Sequence, residues 1–162
     1  METKNGITID EKEFPAIIIG KLMTISGILQ RESNRLLLAY QLNQQQFSIL
    51  FEIAKAEEVQ QKNMVNRLLL EKAHVSKMVK KLQAMGLIDI FPFPDDKRSA
   101  LLSPTANGQK LVDECRAIFQ KWNREWFEQF NAPELLQILD GVDKLQNTFL
   151  SKYSNQITDQ TG

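Results

Sequence analysis

The apolar pattern of this 162-residue chain is helical over most of its length and turns to strand at one place. Lys72–Met85 carries Val75, Met78, Val79 and Leu82 at i, i+3, i+4 and i+7, a single inward-facing helical stripe. Gly86 stops that helix in the usual C-terminal manner. The next residues, Leu87-Ile88-Asp89-Ile90-Phe91, are rich in strand formers. A turn-rich stretch, Pro92-Phe93-Pro94-Asp95-Asp96-Lys97-Arg98, leads into a second short run, Ser99–Ser103, and two such runs around a charged loop predict a β-hairpin. Just upstream, Gln61–Leu69 places Met64, Val65 and Leu68 on one side of another short helix. Helix, helix, hairpin is the order of a winged helix-turn-helix.

Longer helices are predicted on either side. Phe14–Tyr40 spaces Ile17, Ile18, Leu22, Ile25, Ile28, Leu29, Leu36 and Leu37 at three- and four-residue intervals. Asn43 is expected to cap a helix presenting Phe47, Leu50, Phe51, Ile53 and Ala54, with Glu57-Glu58 closing it. Thr105 is expected to cap a helix reaching about Phe130, and Pro133 to open a last one, with Leu135, Ile138, Leu139, Val142, Leu145 and Phe149, to about Tyr153. A middle unit of this size cannot cover three long apolar faces, so a second copy of the chain is expected to cover them. The predicted fold is mainly α: a winged helix-turn-helix with a two-stranded β-hairpin wing, plus long N- and C-terminal dimerisation helices. Its divisions are a loose N-terminus at 1–13, a dimerisation helix at 14–40, the winged module at 41–108, C-terminal dimerisation helices at 109–155 and a flexible tail at 156–162.

Charge points to a partner for the middle of the chain. Overall, 20 basic and 20 acidic side chains cancel. Residues 62–98 nevertheless hold 8 basic against 4 acidic side chains, a net of +4, whereas 1–61 and 99–162 are each −2. A neutral protein with one basic segment often keeps it for a polyanion, although a solvated helix face has the same composition. With the stripe facing inward, Ala73, His74, Ser76, Lys77, Lys80 and Lys81 are left on the outer side of the basic helix. Small residues at its front allow close approach to a groove, and lysine and serine donors suit phosphates and base edges. A helix of this kind fits the major groove of double-stranded DNA, while Lys97 and Arg98 at the hairpin tip suit the backbone or minor groove beside it.

Other chemistries lack their residues. One histidine and one cysteine, His74 and Cys115, cannot assemble a metal site by themselves. A Ser-His-Asp set could form only through His74, which the helical period exposes, and Asp95-Asp96 are adjacent on a loop. The seven glycines form no phosphate-binding loop. No catalytic residue, cofactor or metal is therefore expected. Cys115 lies on an apolar stripe, where a thiol is usually an inert small hydrophobe. A single cysteine allows no internal disulfide and suits a reducing cytoplasm. Apolar runs such as Ala16–Ile19 and Leu36–Ala39 are four residues long, against the roughly 20 that span a bilayer. Met1–Asp10 lacks the apolar core of a signal peptide. No membrane partner is expected.

One local pattern resembles a known family. Asp96-Lys97-Arg98-Ser99-Ala100-Leu101-Leu102-Ser103-Pro104-Thr105-Ala106-Asn107-Gly108 is similar to the wing signature of the MarR family of bacterial transcription regulators, with Asp96, Arg98, Thr105 and Gly108 at matching spacing. Val75–Ile88 resembles the family's recognition helix running into its first wing strand. Leu69 stands where the family commonly has a turn glycine, which implies a less tight turn, and Pro104 replaces a leucine, which implies an earlier strand end. The resemblance implies a homodimer binding a pseudo-palindromic operator as a repressor. Ser76, Lys77 and Lys80 would point to bases or phosphates, Arg98 into the minor groove, and Asp96 would brace the wing. It also implies release by a small aromatic or phenolic effector between the dimer helices and the DNA-binding module. Phe47, Phe51 and Trp122 lie near that junction, though aromatics there also serve as plain core. The alternative is a winged helix used only for protein contacts; such a surface tends to mix in aromatics, and only Phe91 and Phe93 on the wing supply them.

Overall fold

Asn43 shows how closely local chemistry sets the element boundaries. Its side-chain oxygen accepts from the Gln46 backbone N–H at 2.8 Å, while the Gln46 side chain accepts from the Asn43 N–H at 3.0 Å. This reciprocal capping box starts helix α2, Gln44–Ala56, at the residue expected from the sequence, and gives the buried Gln46 its partner. The structure, a computed structural model, describes residues 2–4, 7–93 and 96–160, with side chains described for 10–65, 67–93 and 100–153.

In chain order, strands β1 (Glu2–Lys4) and β2 (Ile7–Ile9) pair as an antiparallel hairpin in place of the loose end expected there. Helix α1 spans Phe14–Leu37, with Pro15 in its first turn, and tightens into a 3-10 turn over Leu38–Tyr40. After α2 come strand β3 (Val59–Gln60), helix α3 (Gln61–Leu68), helix α4 (Lys72–Ala84) and strands β4 (Ile88–Phe93) and β5 (Asp96–Pro104). Helices α5 (Ala106–Phe127) and α6 (Ala132–Gln160) complete the order, so α6 continues past Tyr153 into the stretch expected to be a tail.

The sheet differs from the predicted two-stranded hairpin. Its order is β3-β5-β4, antiparallel throughout, with Val59 opposite Leu102 and Gln60 opposite Leu101. A two-residue strand is too short to show an alternating pattern, which is why β3 escapes a sequence reading. Nor does Pro104 shorten β5, since it pairs with Ile88 at the strand's last position. Pro92 is likewise tolerated, opposite Ala100 on the edge strand β4, where its missing N–H costs no ladder bond on the open side. Leu69 also departs from expectation: it adopts the left-handed conformation itself (φ 52°), its N–H bonding to the Val65 carbonyl. The turn thus keeps the backbone geometry a glycine would supply.

The chain divides into two compact units, Met1–Phe119 and Gln120–Gly162. The core of the first unit joins Ile49, Leu50 and Ile53 of α2, Met64 of α3, Val75, Val79 and Leu82 of α4, Ile88 and Leu102 of the sheet, and Val112 and Cys115 of α5. Helix α1 adds one buried side chain, Leu37, and leaves Ile18, Ile19, Met23, Ile25, Ile28 and Leu29 exposed. The helical stretch Glu11–Tyr40 is long and apolar enough, by length and composition alone, to cross a membrane. This differs from the reading by apolar runs, because glycine, serine and threonine interrupt a run without lowering mean hydropathy much.

In the second unit, an Asn131–Glu134 capping box starts α6, with bonds of 3.0 and 2.8 Å, and Pro133 sits in its first turn as expected. Leu136, Ile138, Leu139, Val142, Phe149, Leu150 and Tyr153 of α6 are exposed.

Candidate nucleic-acid interface

Helix α4 divides cleanly into two faces. Val75, Met78, Val79 and Leu82 are buried at 4% exposure or less, as the stripe predicts. Ala73, His74, Lys77, Lys80 and Lys81 are exposed on the other side, and Ser76 is half-buried at its flank. Lys72, Lys77, Lys80 and Lys81 make no ion pair among the described residues, so their charge is not offset locally.

The C-terminal end of α4 is fixed by backbone chemistry. Gly86, at φ 68°, lets the Leu87 N–H reach back to the Leu82 carbonyl at 3.0 Å and its own N–H reach Gln83 at 2.8 Å, a Schellman motif. The start of α5 then locks onto this turn. The Thr105 hydroxyl donates to the Gly86 carbonyl at 2.7 Å and accepts from the Gly108 N–H at 3.0 Å, while the Thr105 N–H donates to the Leu87 carbonyl at 3.1 Å. A Cβ on Gly108 would lie 1.9 Å from that same Leu87 oxygen. The Thr-x-x-Gly part of the signature is therefore a structural clasp: it fixes the end of α4 against the start of α5.

Both flanks of the exposed face are held from neighbouring helices. His74 Nε2 lies 2.9 Å from the side-chain oxygen of Gln45, in the first turn of α2. The amide nitrogen of Gln61, the first residue of α3, donates to the Ser76 hydroxyl at 2.9 Å. Sequence reasoning missed both glutamines, because their partners lie 29 and 15 residues away and glutamine carries no motif of its own.

In the wing, Asp96, Lys97 and Arg98 are the first residues of β5, and Asp96 is paired with Phe93 of β4. Their side chains lie outside the described residues, as do Pro94 and Asp95 entirely.

Phe47 and Phe51 come together with Phe119: Phe47 stacks on Phe119 at 5.3 Å and tilts against Phe51 at 6.1 Å. The Arg116 guanidinium sits 6.0 Å over the Phe51 ring. Beside it opens a hollow of about 190 Å³ lined by Phe51, Ala54, Lys55, Gln109, Val112 and Arg116. Trp122 belongs to the second unit and packs against Trp126 at 5.1 Å. Cys115 is buried, and burial, with a smaller contribution from Glu114, pushes its thiol up to about 11. A thiol held neutral in this way is a poor nucleophile. Among the described residues no three His, Cys, Asp or Glu side chains converge to hold a metal.

Residues 42–100 match the MarR family model. The chain is 25% identical over 73 residues to the HTH-type transcriptional regulator BilQ of Clostridioides difficile, a match spanning 45% of this chain and about half (49%) of that regulator. Among solved structures, a MarR protein from Peptoclostridium difficile superposes with a TM-score of 0.80 at 18% identity, covering 94% of this chain and 97% of that one. A mutant E. coli MarR complexed with operator DNA gives a TM-score of 0.73 at 22% identity, covering 85% and 99%. The fold is that of these winged helix proteins.

Proposed function

We propose that the protein, whose residues 42–100 match the MarR family model, is a sequence-specific DNA-binding transcriptional regulator. The observation that carries the proposal is the outer face of α4, where Ala73, Lys77 and Lys80 stand exposed over a fully buried apolar stripe with no acid pairing the lysines among the described residues. Small and cationic side chains on a rigidly held helix suit entry into a major groove, where lysines contact phosphates and Ser76 a base edge. Lys97 and Arg98 of the wing would reach the neighbouring backbone or minor groove, with Asp96 bracing the loop.

The proposal includes a homodimer. The exposed apolar side chains of α1, and separately those of α6, are faces that water does not favour, and a second copy would bury them. The same burial accounts for the membrane-like composition of α1 without a membrane, for a protein working on DNA in the cytoplasm. Two recognition helices would then meet successive major grooves of a pseudo-palindromic operator, roughly 34–36 Å apart. As a repressor, the dimer would be released by a small aromatic or phenolic effector at the Phe47–Phe51 cluster, where aromatic walls and the cations Lys55 and Arg116 surround an open hollow.

The test is titration of the purified protein against the duplex upstream of its own gene and a scrambled duplex, at two salt concentrations. Specific, salt-sensitive binding with two protomers per site is the expected result. Absence of binding to any duplex at low salt would overturn the reading and make the α4 face a protein-docking surface.

A further inference from the structure

The outer face of α4 is gripped on both flanks, and the grip on Ser76 has a chemical consequence. A serine hydroxyl carries one donor and two acceptor lone pairs; free to rotate, it reads donors and acceptors on base edges alike. Ser76 is not free. Its oxygen accepts from the Gln61 amide at 2.9 Å, and among the described residues nothing takes its proton. Accepting one hydrogen bond polarises a hydroxyl toward donating the next. Gln61 itself is half-buried at the start of α3, with its amide nitrogen committed to Ser76. On the opposite flank the Gln45 side-chain oxygen faces His74 Nε2 at 2.9 Å, the reverse polarity of the Gln61 contact, so the exposed Lys77 and Lys80 lie between two held polar groups.

We infer that Gln61 is a specificity-determining positioning residue: by donating to Ser76 it occupies one lone pair and biases that hydroxyl toward donating, so the pair favours a base presenting an acceptor in the major groove. This rests on the DNA-binding reading above. The acceptors available there are guanine N7 and O6, adenine N7 and thymine O4, whereas cytosine offers a donor. Cytosine is therefore the base Ser76 disfavours.

The sharpest test inverts the polarity. In Gln61→Glu the carboxylate can only accept, so it takes the Ser76 proton and leaves Oγ as an acceptor toward the base. An acidic residue in the first turn of α3 is favoured by the helix dipole, so the variant is expected to fold. The full-length protein, Gln61→Glu, Ser76→Ala and the double variant are each used to select from a pool of randomised duplex DNA, and the recovered sequences are compared position by position. The wild-type chain is expected to disfavour cytosine roughly 3–10-fold at one position in each half-site, as one hydrogen bond allows. Gln61→Glu should shift that position toward cytosine or the adenine amino group, and Ser76→Ala should flatten it. The double variant should match Ser76→Ala, because Gln61 acts only through the hydroxyl. If Gln61→Glu weakens binding evenly and leaves every base preference unchanged, Gln61 is a backbone contact or a packing residue and the inference is wrong. A wild-type chain that enriches no sequence overturns the DNA-binding reading and this inference together; wild-type enrichment with an unmoved Gln61→Glu profile overturns this one alone.

Discussion

Helices α4 and α6 are both amphipathic, and each leaves unmatched what the other satisfies. On α4 the apolar stripe is buried to 4% exposure or less, while its lysines have no acidic partner among the described residues. On α6 Lys144 pairs with Asp140 at 2.6 Å, while Leu136 and Leu139 stand 66% and 54% exposed. The lysines of α5 follow α6: Lys110 pairs with Glu114, and Lys121 with Glu125, both at i, i+4. The surface unmatched on α4 asks for a polyanion, and the surface unmatched on α6 asks for apolar cover. Helix α1 sides with α6, its exposed isoleucines facing outward around a single buried leucine. One chain thus presents two unlike surfaces, which the proposed DNA contact and the proposed self-association would use separately.

The largest effect should come from α6. Glutamates at two adjacent exposed positions, in Leu139→Glu with Val142→Glu, would bury charge wherever a second copy covers that face. Sedimentation should show monomers, and DNA affinity should fall on the order of 100-fold once two modules no longer bind as one. The first unit should stay folded, because its core side chains come from its own helices and sheet. A well-folded monomer with full DNA affinity would break the comparison, since the apolar face would then serve nothing in binding.

The next effect belongs to α4. Lys77→Ala and Lys80→Ala should each weaken DNA binding by roughly tenfold and lower the salt slope by about one. Lys110→Ala and Lys121→Ala on α5 are the controls, and should change binding by less than about twofold, their charge being offset by the glutamate one turn on. Equal losses at both sets, measured by titration at several salt concentrations, would mean that pairing does not distinguish the two surfaces.

The parts of this contrast that were legible in the sequence are those carried by short-range period. The α4 stripe, the Gly86 stop, the Asn43 cap and the apolar spacing of α1 each depend on residues within a few positions of one another. What was not legible depends on distant chain. Gln45 and Gln61 gain their meaning from His74 and Ser76, which only folding brings to them. The Thr105–Gly108 pattern was readable as a signature, but its reason is the Leu87 carbonyl occupying the space of a Cβ. Strand β3 shows the same limit, since two residues become a strand only because Leu101 and Leu102 lie opposite. Trp122, grouped with Phe47 and Phe51 through the family resemblance, lies in the other compact unit.

The smallest effect tests an exception. Leu69 is a 51% exposed leucine inside a module that also exposes Phe91 at 48%, and it holds a left-handed backbone that costs a non-glycine residue about 1–2 kcal/mol. If that side chain belonged to an apolar interface, removing it would change association. If it only completes the turn from α3 to α4, Leu69→Gly should leave dimerisation and DNA affinity unchanged. Stability should then move little. Glycine relieves the backbone strain, but it also frees the unfolded chain by about 0.4–1 kcal/mol and gives up the buried half of the leucine. These opposing terms nearly cancel, so denaturant unfolding should find a shift within about 0.5 kcal/mol of zero. A loss of dimer or of DNA affinity with stability intact would give Leu69 a partner, and the division between a charged ligand surface and an apolar association surface would no longer follow the helices.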